Sequence, residues 1–218
     1  MGDPPNGGIW LWALRVALVC AVVAAWNLAR RRPAYWPTTA FLTWVGFAHI
    51  VRGLLAAYVI GSGPPGGVPY QGVYRAWFHV EQAMFVSWPI GIAALALWTF
   101  RGIRPWFAAG AWVAVVATLA ASYPEVRKAK LYSAYLAIDL ASILVSIVAT
   151  IPWWRRRIKA PQPPEIAALL ILFAEIGAVL LGPYAAGQVF AFWPINQGLY
   201  AGLYATLFAL EVAWSRRQ

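Results

Sequence analysis

The amino-acid sequence divides into seven apolar segments separated by short polar connections. Each segment has about 20 residues, the length that an α-helix needs to cross the hydrocarbon core of a bilayer. The segments cover residues 9–29, 36–60, 73–98, 105–123, 131–154, 164–184 and 193–214. The 218-residue chain is 62% hydrophobic and contains no polar tract long enough for a soluble domain. We therefore predict an all-α integral membrane protein, a single seven-transmembrane-helix bundle over residues 1–218.

Basic residues predict the orientation of the bundle, because Lys and Arg accumulate on the cytoplasmic side of a membrane. Eleven follow the odd-numbered segments: Arg30, Arg31, Arg32, Arg101, Arg104, Arg155, Arg156, Arg157, Lys159, Arg216 and Arg217. The connection at residues 125–130, which this orientation places outside, also contains three cations, but these are fewer than the eleven on the other side. We expect the N-terminus outside and the C-terminus in the cytoplasm, in a bacterial-type cytoplasmic membrane. The N-terminus has no basic region or cleavage site, so the first segment is expected to be a retained helix.

Composition argues against several classes of function. The formal net charge of +10 would suit a nucleic-acid-binding protein, but the cations stand in short runs between apolar segments. That distribution reflects membrane topology, so no nucleic-acid partner is expected. Cys20 is the only cysteine, which rules out an internal disulfide and a cysteine-rich metal site. The expected partners are the lipid bilayer and a lipophilic small molecule, and the sequence leaves the oligomeric state open.

The third segment begins with polar groups that lipid would not tolerate. Four of them lie in its first turns: Arg75, His79, Glu81 and Gln82. At about 100° per residue, Glu81 points away from the other three, towards the side that carries Trp77 and Trp88. Because polar side chains occupy two sides of this helix, we place it at the centre of the bundle. The fourth segment contains no charge and is expected at the periphery.

The fifth segment carries the clearest periodic pattern. Polar residues recur at steps of three and four: Tyr132, Tyr135, Asp139, Ser142, Ser146 and Thr150. This spacing draws one polar stripe along a helix, and the stripe must face the interior. Serine and threonine can satisfy themselves by bonding back to helix carbonyl groups, whereas Asp139 cannot. Asp139 is therefore a candidate functional residue.

Other segments add buried polar groups at similar depth. His49 and Arg52 lie near the middle of the second segment, and Glu175 lies near the middle of the sixth. The seventh segment has a second polar stripe: Gln197, Tyr200, Tyr204 and Glu211. Glu211 stands near the cytoplasmic end, where pairing with Arg216 or contact with water would explain it. Glu165 follows a proline at a helix start and is interpreted as structural.

Together these groups predict a polar chamber on the outer side of the bundle, since isolated ions would be costly in hydrocarbon. Buried carboxyl groups can stay neutral and act as general acids, and a histidine can accept a proton. The candidate catalytic residues are Glu81, Asp139, Glu175 and His79. The candidate substrate-binding residues are Arg52, Arg75, His49, Gln82, Trp77, Trp88, Tyr135, Tyr200 and Tyr204. A set of buried ion pairs that only orders the helices, with tryptophans that only fill gaps, is the alternative.

The preferred hypothesis is a membrane-embedded enzyme that acts on a lipid or isoprenoid by acid–base chemistry, as a cyclase or isomerase. Aromatic rings of the deep tryptophans and tyrosines would stabilise a developing cation. In size and helix number the chain resembles the integral-membrane terpene cyclases, which are seven-helix proteins that use carboxyl groups as acids. The resemblance concerns architecture and implies a seven-helix fold and an acid-initiated reaction. It assigns no role to any single residue.

Several other functions fit parts of the pattern. Intramembrane carboxyl groups and a histidine also suit a proton-coupled or small-molecule transporter, and an accessory subunit of a membrane complex would use the polar groups structurally. The chain also resembles the rhodopsins in helix number, but its lysines, Lys128, Lys130 and Lys159, fall in predicted loops, so no retinal Schiff base is expected. His49 and His79 differ in predicted depth by about 7 Å, which disfavours haem ligation between them. We expect no cofactor and no metal.

Overall fold

The computed structural model describes the backbone of residues 7–61, 71–121, 128–155, 161–185 and 189–216. Side chains are described for residues 9, 11–51, 53–54, 86–114, 117, 135–155, 161–181 and 195–216. Within these ranges the chain forms a short 3-10 helix, Pro33–Tyr35, and seven α-helices, with no strand. The α-helices are α1 Gly7–Arg31, α2 Trp36–Gly61, α3 Gln71–Arg101, α4 Trp106–Ala121, α5 Lys128–Arg155, α6 Pro163–Ala185 and α7 Val189–Arg216. Each begins and ends within four residues of its predicted segment, so the all-helical class is confirmed.

Three helices in the described part are long and apolar enough to cross a membrane. The crossing stretches are Leu11–Arg31 in α1, Tyr135–Arg155 in α5 and Pro163–Leu181 in α6. The outer surface is apolar as well, since Val16, Val19 and Val23 of α1 are each more than half exposed. Such a surface is stable against lipid tails and unfavourable against water. The chain is therefore a helical membrane protein.

The buried core lies between α1, α2, α3, α6 and α7. Helices α1 and α7 pack against each other more extensively than any other two helices in the described part of the chain. Ala21, Ala25 and Ala29 follow one another at steps of four on α1 and have no exposed surface. Small side chains at this spacing let neighbouring helix backbones approach closely. Larger residues fill the remaining space, among them Leu18, Leu42, Ile171 and Leu207.

The odd-numbered helices form two parallel pairs, α1 with α7 and α3 with α5, whose carboxyl ends lie together. Arg31, at the end of α1, donates from Nη1 to the carbonyl oxygen of Ser215 at the end of α7, over 3.0 Å. Arg101, at the end of α3, donates to the carbonyl oxygens of Val148 and Ala149 near the end of α5, both at 3.1 Å. The carboxyl ends of α1 and α7 are therefore neighbours, and so are those of α3 and α5.

Two predictions about position agree with this packing. Helix α3 contacts α2, α4, α5 and α6 in the described part of the chain, as expected for a helix inside the bundle. Helix α4 packs against α3, and the ring of its Trp112 lies 6.4 Å from the ring of Trp44 on α2. Trp106 and Val113 of α4 are 80% and 57% exposed. Helix α4 is thus peripheral, as its uncharged sequence predicts.

The polar stripe of α5 faces inward where it is described. Ser142, Ser146 and Thr150 are buried, whereas Leu144 is 61% exposed on the other side. Ser146 Oγ donates to the carbonyl oxygen of Ser142 at 2.7 Å, and Thr150 Oγ1 donates to that of Ile147 at 2.7 Å. These bonds confirm that the hydroxyl groups of Ser146 and Thr150 are satisfied within their own helix.

Local sequence signals also set the helix ends. Glu165 Oε2 accepts a hydrogen bond from the backbone N–H of Gln162 at 2.6 Å, the contact that a carboxylate makes at the third position of a capping box. This confirms the structural interpretation of Glu165. Helix α3 ends at Arg101; the next residue, Gly102, has a φ of +67° and donates its N–H to the carbonyl oxygen of Trp98 at 3.0 Å, as in a left-handed helix cap.

Candidate functional site

Glu175 is the centre of the candidate site. It lies halfway along the apolar helix α6, and only 4% of its surface is exposed. Helix α6 contacts α2, α3, α5 and α7, so a side chain on its inner face is surrounded by other helices. A carboxyl group in such a place needs hydrogen-bond partners, because burying it without them costs several kcal/mol.

Two neutral groups donate hydrogen bonds to the same oxygen of Glu175. Trp88 Nε1, from α3, lies 2.6 Å from Glu175 Oε2, and the Tyr200 hydroxyl, from α7, lies 2.6 Å from that oxygen. Both distances are at the short end of the range, as expected for bonds to a carboxyl group. Oε1 accepts no hydrogen bond from any side chain that the structure describes. Within the described residues, the carboxyl group is thus held through one of its two oxygens.

A second carboxyl group lies nearby on α5. Asp139 is half-buried and close enough to Glu175 for the two groups to interact electrostatically. It also interacts electrostatically with Tyr200. Two carboxyl groups from different helices therefore share one part of the interior, which is the arrangement that a proton donor and a proton acceptor require.

Aromatic rings surround the carboxyl group. The rings of Trp88 and Tyr200 meet edge to face at 4.9 Å, and Tyr200 stacks on Tyr204 at 6.4 Å. On the other side, Phe41 of α2 packs edge to face on Trp88 at 5.4 Å. Gly91 permits this contact, because a Cβ atom there would lie 3.1 Å from Phe41 Cε2. Aromatic rings from three helices therefore lie around the carboxyl group, and aromatic rings attract cations through their π electrons.

Some polar atoms beside the cluster lack partners. The hydroxyl of Tyr204 is buried and has no hydrogen-bond partner among the described residues, and neither has Gln197 Oε1. Both residues lie on the same stripe of α7 as Tyr200. Buried polar atoms are normally paired, so orphaned atoms such as these indicate a place for water or for a polar group of a ligand.

The structure brings together five of the predicted site residues: Trp88, Asp139, Glu175, Tyr200 and Tyr204. Tyr135 is half-buried one turn before Asp139, and His49 is half-buried on α2. The side chains of six others lie outside the described residues: Arg52, Arg75, Trp77, His79, Glu81 and Gln82. Their place in the site stays a prediction.

The expected network of cations and carboxylates is described only in part. The guanidinium group of Arg15 lies 5.5 Å from the centre of the Trp12 ring, and its Nη2 packs against Gly53 of α2. Its Nε has no hydrogen-bond partner among the described residues. Since Arg52, Arg75 and Glu81 are not described, charge balance across the chamber stays a prediction. In the described part of the chain, no three His, Cys, Asp or Glu residues are grouped to hold a metal ion.

Sequence reasoning missed the hydrogen bond between Tyr35 and another buried carboxyl group, that of Glu211. Glu211 of α7 has no exposed surface, and its Oε1 accepts a hydrogen bond from the Tyr35 hydroxyl at 2.7 Å. Burial, together with the nearby Glu211, raises the pKa of Tyr35 far above its usual range, so its hydroxyl stays a proton donor. The sequence offered Arg216 or water as partners for Glu211. Tyr35 carries no sequence signal, because it lies in the turn between two helices.

A comparison with known proteins matches the chain to no family model, no curated protein and no solved structure.

Proposed function

We propose that the chain is a membrane-embedded enzyme that uses Glu175 as a general acid on a lipophilic substrate. The substrate class is a lipid or isoprenoid with a carbon–carbon double bond, and the reaction is an isomerisation or cyclisation. One observation carries the proposal: a buried carboxyl group is bonded through one oxygen to two neutral donors, Trp88 and Tyr200, and interacts electrostatically with a second carboxyl group, Asp139. A purely structural carboxylate would more often pair with a cation.

The bonds to Glu175 fit the role of proton donor. Trp88 and Tyr200 both occupy Oε2, which leaves Oε1 to carry the acidic proton and to present it to a substrate. Neutral donors hold the carboxyl group in place in either protonation state. Fixed orientation of this kind is what general acid catalysis gains from a protein.

The proposed reaction begins with proton transfer to the substrate. The proton of Glu175 Oε1 forms a new C–H bond with one carbon of the double bond, whose π electrons make that bond and leave a carbocation. The rings of Trp88 and Tyr200 stabilise the positive charge. Either a second double bond attacks the cation to close a ring, which leaves a new cation whose neighbouring carbon then loses a proton, or a carbon next to the first cation loses a proton directly. In both cases the Asp139 carboxylate takes the released proton, and a new double bond remains.

The same proposal gives the chain seven membrane spans, an external N-terminus and a cytoplasmic C-terminus. Support comes from the parallel pairs α1 with α7 and α3 with α5, whose carboxyl ends carry arginines. Arginines gathered at the ends of parallel helices satisfy the positive-inside rule. Glu175, midway along α6, then lies near the centre of the bilayer. An apolar substrate would reach it from the lipid.

Deuterium transfer tests the proposal with a mixture of candidate substrates. The purified protein is incubated in D₂O with a mixed lipid and isoprenoid extract, and the products are analysed by mass spectrometry. An acid-initiated reaction adds one deuterium to each product molecule. Glu175→Gln should reduce deuterium incorporation by about 100-fold or more, since general acids contribute about 10²–10⁴ to rates. Glu165→Gln, a carboxyl change that keeps the helix cap, should retain the wild-type rate.

The outcomes separate the enzyme from its alternatives. If the wild-type protein labels no lipid, the enzyme proposal is wrong. A proton-coupled transporter is the second candidate function. The observation that favours it is a further buried carboxyl group, that of Glu211, which lies on α7 towards the basic end. A transporter would move protons across sealed vesicles that contain the wild-type protein, and Glu175→Gln or Glu211→Gln would abolish that movement.

A further inference from the structure

One face of α7 connects the two buried carboxyl groups. Tyr200, Tyr204, Leu207 and Glu211 follow at steps of four, three and four, so they lie within about 60° of one another around the helix. Tyr204, Leu207 and Glu211 have no exposed surface. This face begins at Tyr200, which bonds to Glu175, and ends at Glu211, which bonds to Tyr35.

Buried oxygen atoms without hydrogen-bond partners occur along this face and near its basic end. Glu211 binds the Tyr35 hydroxyl through Oε1, whereas its Oε2 is buried and has no hydrogen-bond partner in the described part of the chain. The same is true of Thr38 Oγ1, and Thr38 lies one turn after Tyr35 with no exposed surface. The Tyr204 hydroxyl is a third buried atom of this kind. A few internal water molecules would satisfy all three atoms.

These groups are spaced for transfer through water and not for direct contact. Tyr204 and Glu211 are seven residues apart, which corresponds to about 10 Å along the helix axis. Leu207 lies between them on the same face, so a link must pass beside it. Thr38 stands three residues after Tyr35, so it lies on the side of the chain that Tyr35 turns towards Glu211, and its hydroxyl supplies a polar group for that passage. Tyr204 is close enough to Glu175 to interact with it electrostatically.

We infer that Glu211, Thr38 and Tyr204 form, with internal water, a proton path from the basic end of the bundle to Glu175. The inference rests on the proposed function, in which Glu175 must regain a proton after each turnover. Tyr204 gives its proton through one water molecule to the Glu175 carboxylate while its oxygen takes another proton from a second water. The carboxylic acid of Glu211 then gives a proton to the water that protonated Tyr204. The resulting Glu211 carboxylate is reprotonated from hydronium in the aqueous phase beyond Ser215. One proton moves at each step, and Tyr35 positions Glu211.

Hydrogen–deuterium exchange of the Glu175 proton tests the path. The full-length protein in detergent is transferred from H₂O to D₂O, and the infrared band of protonated carboxyl groups is followed with time. The part of the band that Glu175→Gln removes belongs to Glu175. Tyr204→Phe and Glu211→Gln should leave that part in place and slow its exchange by about tenfold or more, equivalent to a barrier about 1.4 kcal/mol higher. Thr206→Val is the matched control, since the Thr206 hydroxyl is exposed and bonds to its own helix at Gly202.

Each outcome has one meaning. Wild-type exchange rates in both Tyr204→Phe and Glu211→Gln would overturn the proton path while leaving Glu175 as the acid. A wild-type spectrum without a protonated Glu175 band would instead overturn the proposed function. Misfolding is not a concern for Tyr204→Phe, because the hydroxyl it removes has no hydrogen-bond partner among the described residues. Equal melting temperatures of this variant and the wild type would verify that.

Discussion

The hydroxyl of Tyr200 lies 2.6 Å from Glu175 Oε2 and joins α7 to α6 in the middle of the bundle. Tyr204, one turn further along α7, stacks on Tyr200 and is more deeply buried. Its hydroxyl nevertheless has no hydrogen-bond partner among the described residues. Two tyrosines of one helix thus differ in one interaction, since only Tyr200 donates a hydrogen bond to the carboxyl group.

Tyr200→Phe should destabilise the protein more than Tyr204→Phe does. The first change removes a buried hydrogen bond to a carboxyl group, which contributes about 1.5–3 kcal/mol to the free energy of unfolding. The second removes a hydroxyl that makes no described hydrogen bond, so its effect should be close to zero or stabilising. Thermal unfolding in detergent, followed by circular dichroism, measures both. An equal loss in the two variants would contradict this account of Glu175.

Gly91→Ala should disturb the site from a distance. The new Cβ would lie 3.1 Å from Phe41 Cε2, so the Phe41 ring must move by a few tenths of an ångström and push against Trp88. We expect a loss of about 1 kcal/mol in stability, typical of mild overpacking, and slower deuterium incorporation.

Gly110→Ala is the matched control for that change. A Cβ at Gly110 of α4 meets no atom within 4 Å, so alanine there should stabilise the helix by about 0.5–1 kcal/mol. If both alanine variants melt above the wild type, the close packing of Phe41 against Gly91 does not constrain the site.

Arg101→Ala should destabilise the protein through a backbone group of α5. Pro152 has no N–H, so the Val148 carbonyl, four residues earlier, loses its helix partner. Arg101 Nη2 supplies a donor for that carbonyl at 3.1 Å. Loss of the guanidinium group should cost about 1–2 kcal/mol in thermal unfolding. Arg104→Ala, a change in an exposed arginine three residues later, should cost much less.

A double-mutant cycle gives this prediction a sharper form. Pro152→Ala restores the missing N–H, and Val148 then bonds within its own helix. In that background Arg101→Ala should cost about 1 kcal/mol less than in the wild type, since neighbouring groups with a shared partner are coupled. Additive effects of the two changes would show that Arg101 does not compensate for Pro152.

Tyr35→Phe should destabilise the protein more than most changes that remove a single hydroxyl group. It leaves the fully buried carboxyl group of Glu211 with neither oxygen bonded to a described side chain. We expect a loss of about 1.5–3 kcal/mol in the free energy of unfolding. In a Glu211→Gln background the loss should be smaller, because an amide can form other bonds. A destabilisation that is the same in both backgrounds would mean that the Tyr35–Glu211 bond contributes little.

Cysteine labelling tests the proposed topology. Cys20 is the only cysteine, so Cys20→Ala provides a cysteine-free background. In intact cells, a membrane-impermeant maleimide should label a cysteine introduced at Asn6 and should not label one introduced at Arg104 until the membrane is opened. The reverse pattern would invert the orientation, and labelling of both positions from outside would rule out an odd number of spans between them.

Much of the fold follows from periodicity and length alone. Ser142, Ser146 and Thr150 recur at helical spacing, so their helix had to turn one face inward whatever its neighbours were. Similarly, the uncharged fourth segment had no polar group to shield, and α4 lies at the periphery. Helix bounds were predictable because the thickness of a bilayer sets them.

The candidate site depended on contacts between helices. The sequence alone showed that Asp139 and Glu175 are ionisable groups in apolar helices, which cannot face lipid. It did not show that Trp88 and Tyr200 share one oxygen of Glu175, or that Tyr35 is the partner of Glu211 across 176 positions. Helical periodicity orients each side chain about its own axis, whereas the choice of partner depends on the rotation and depth at which separate helices pack.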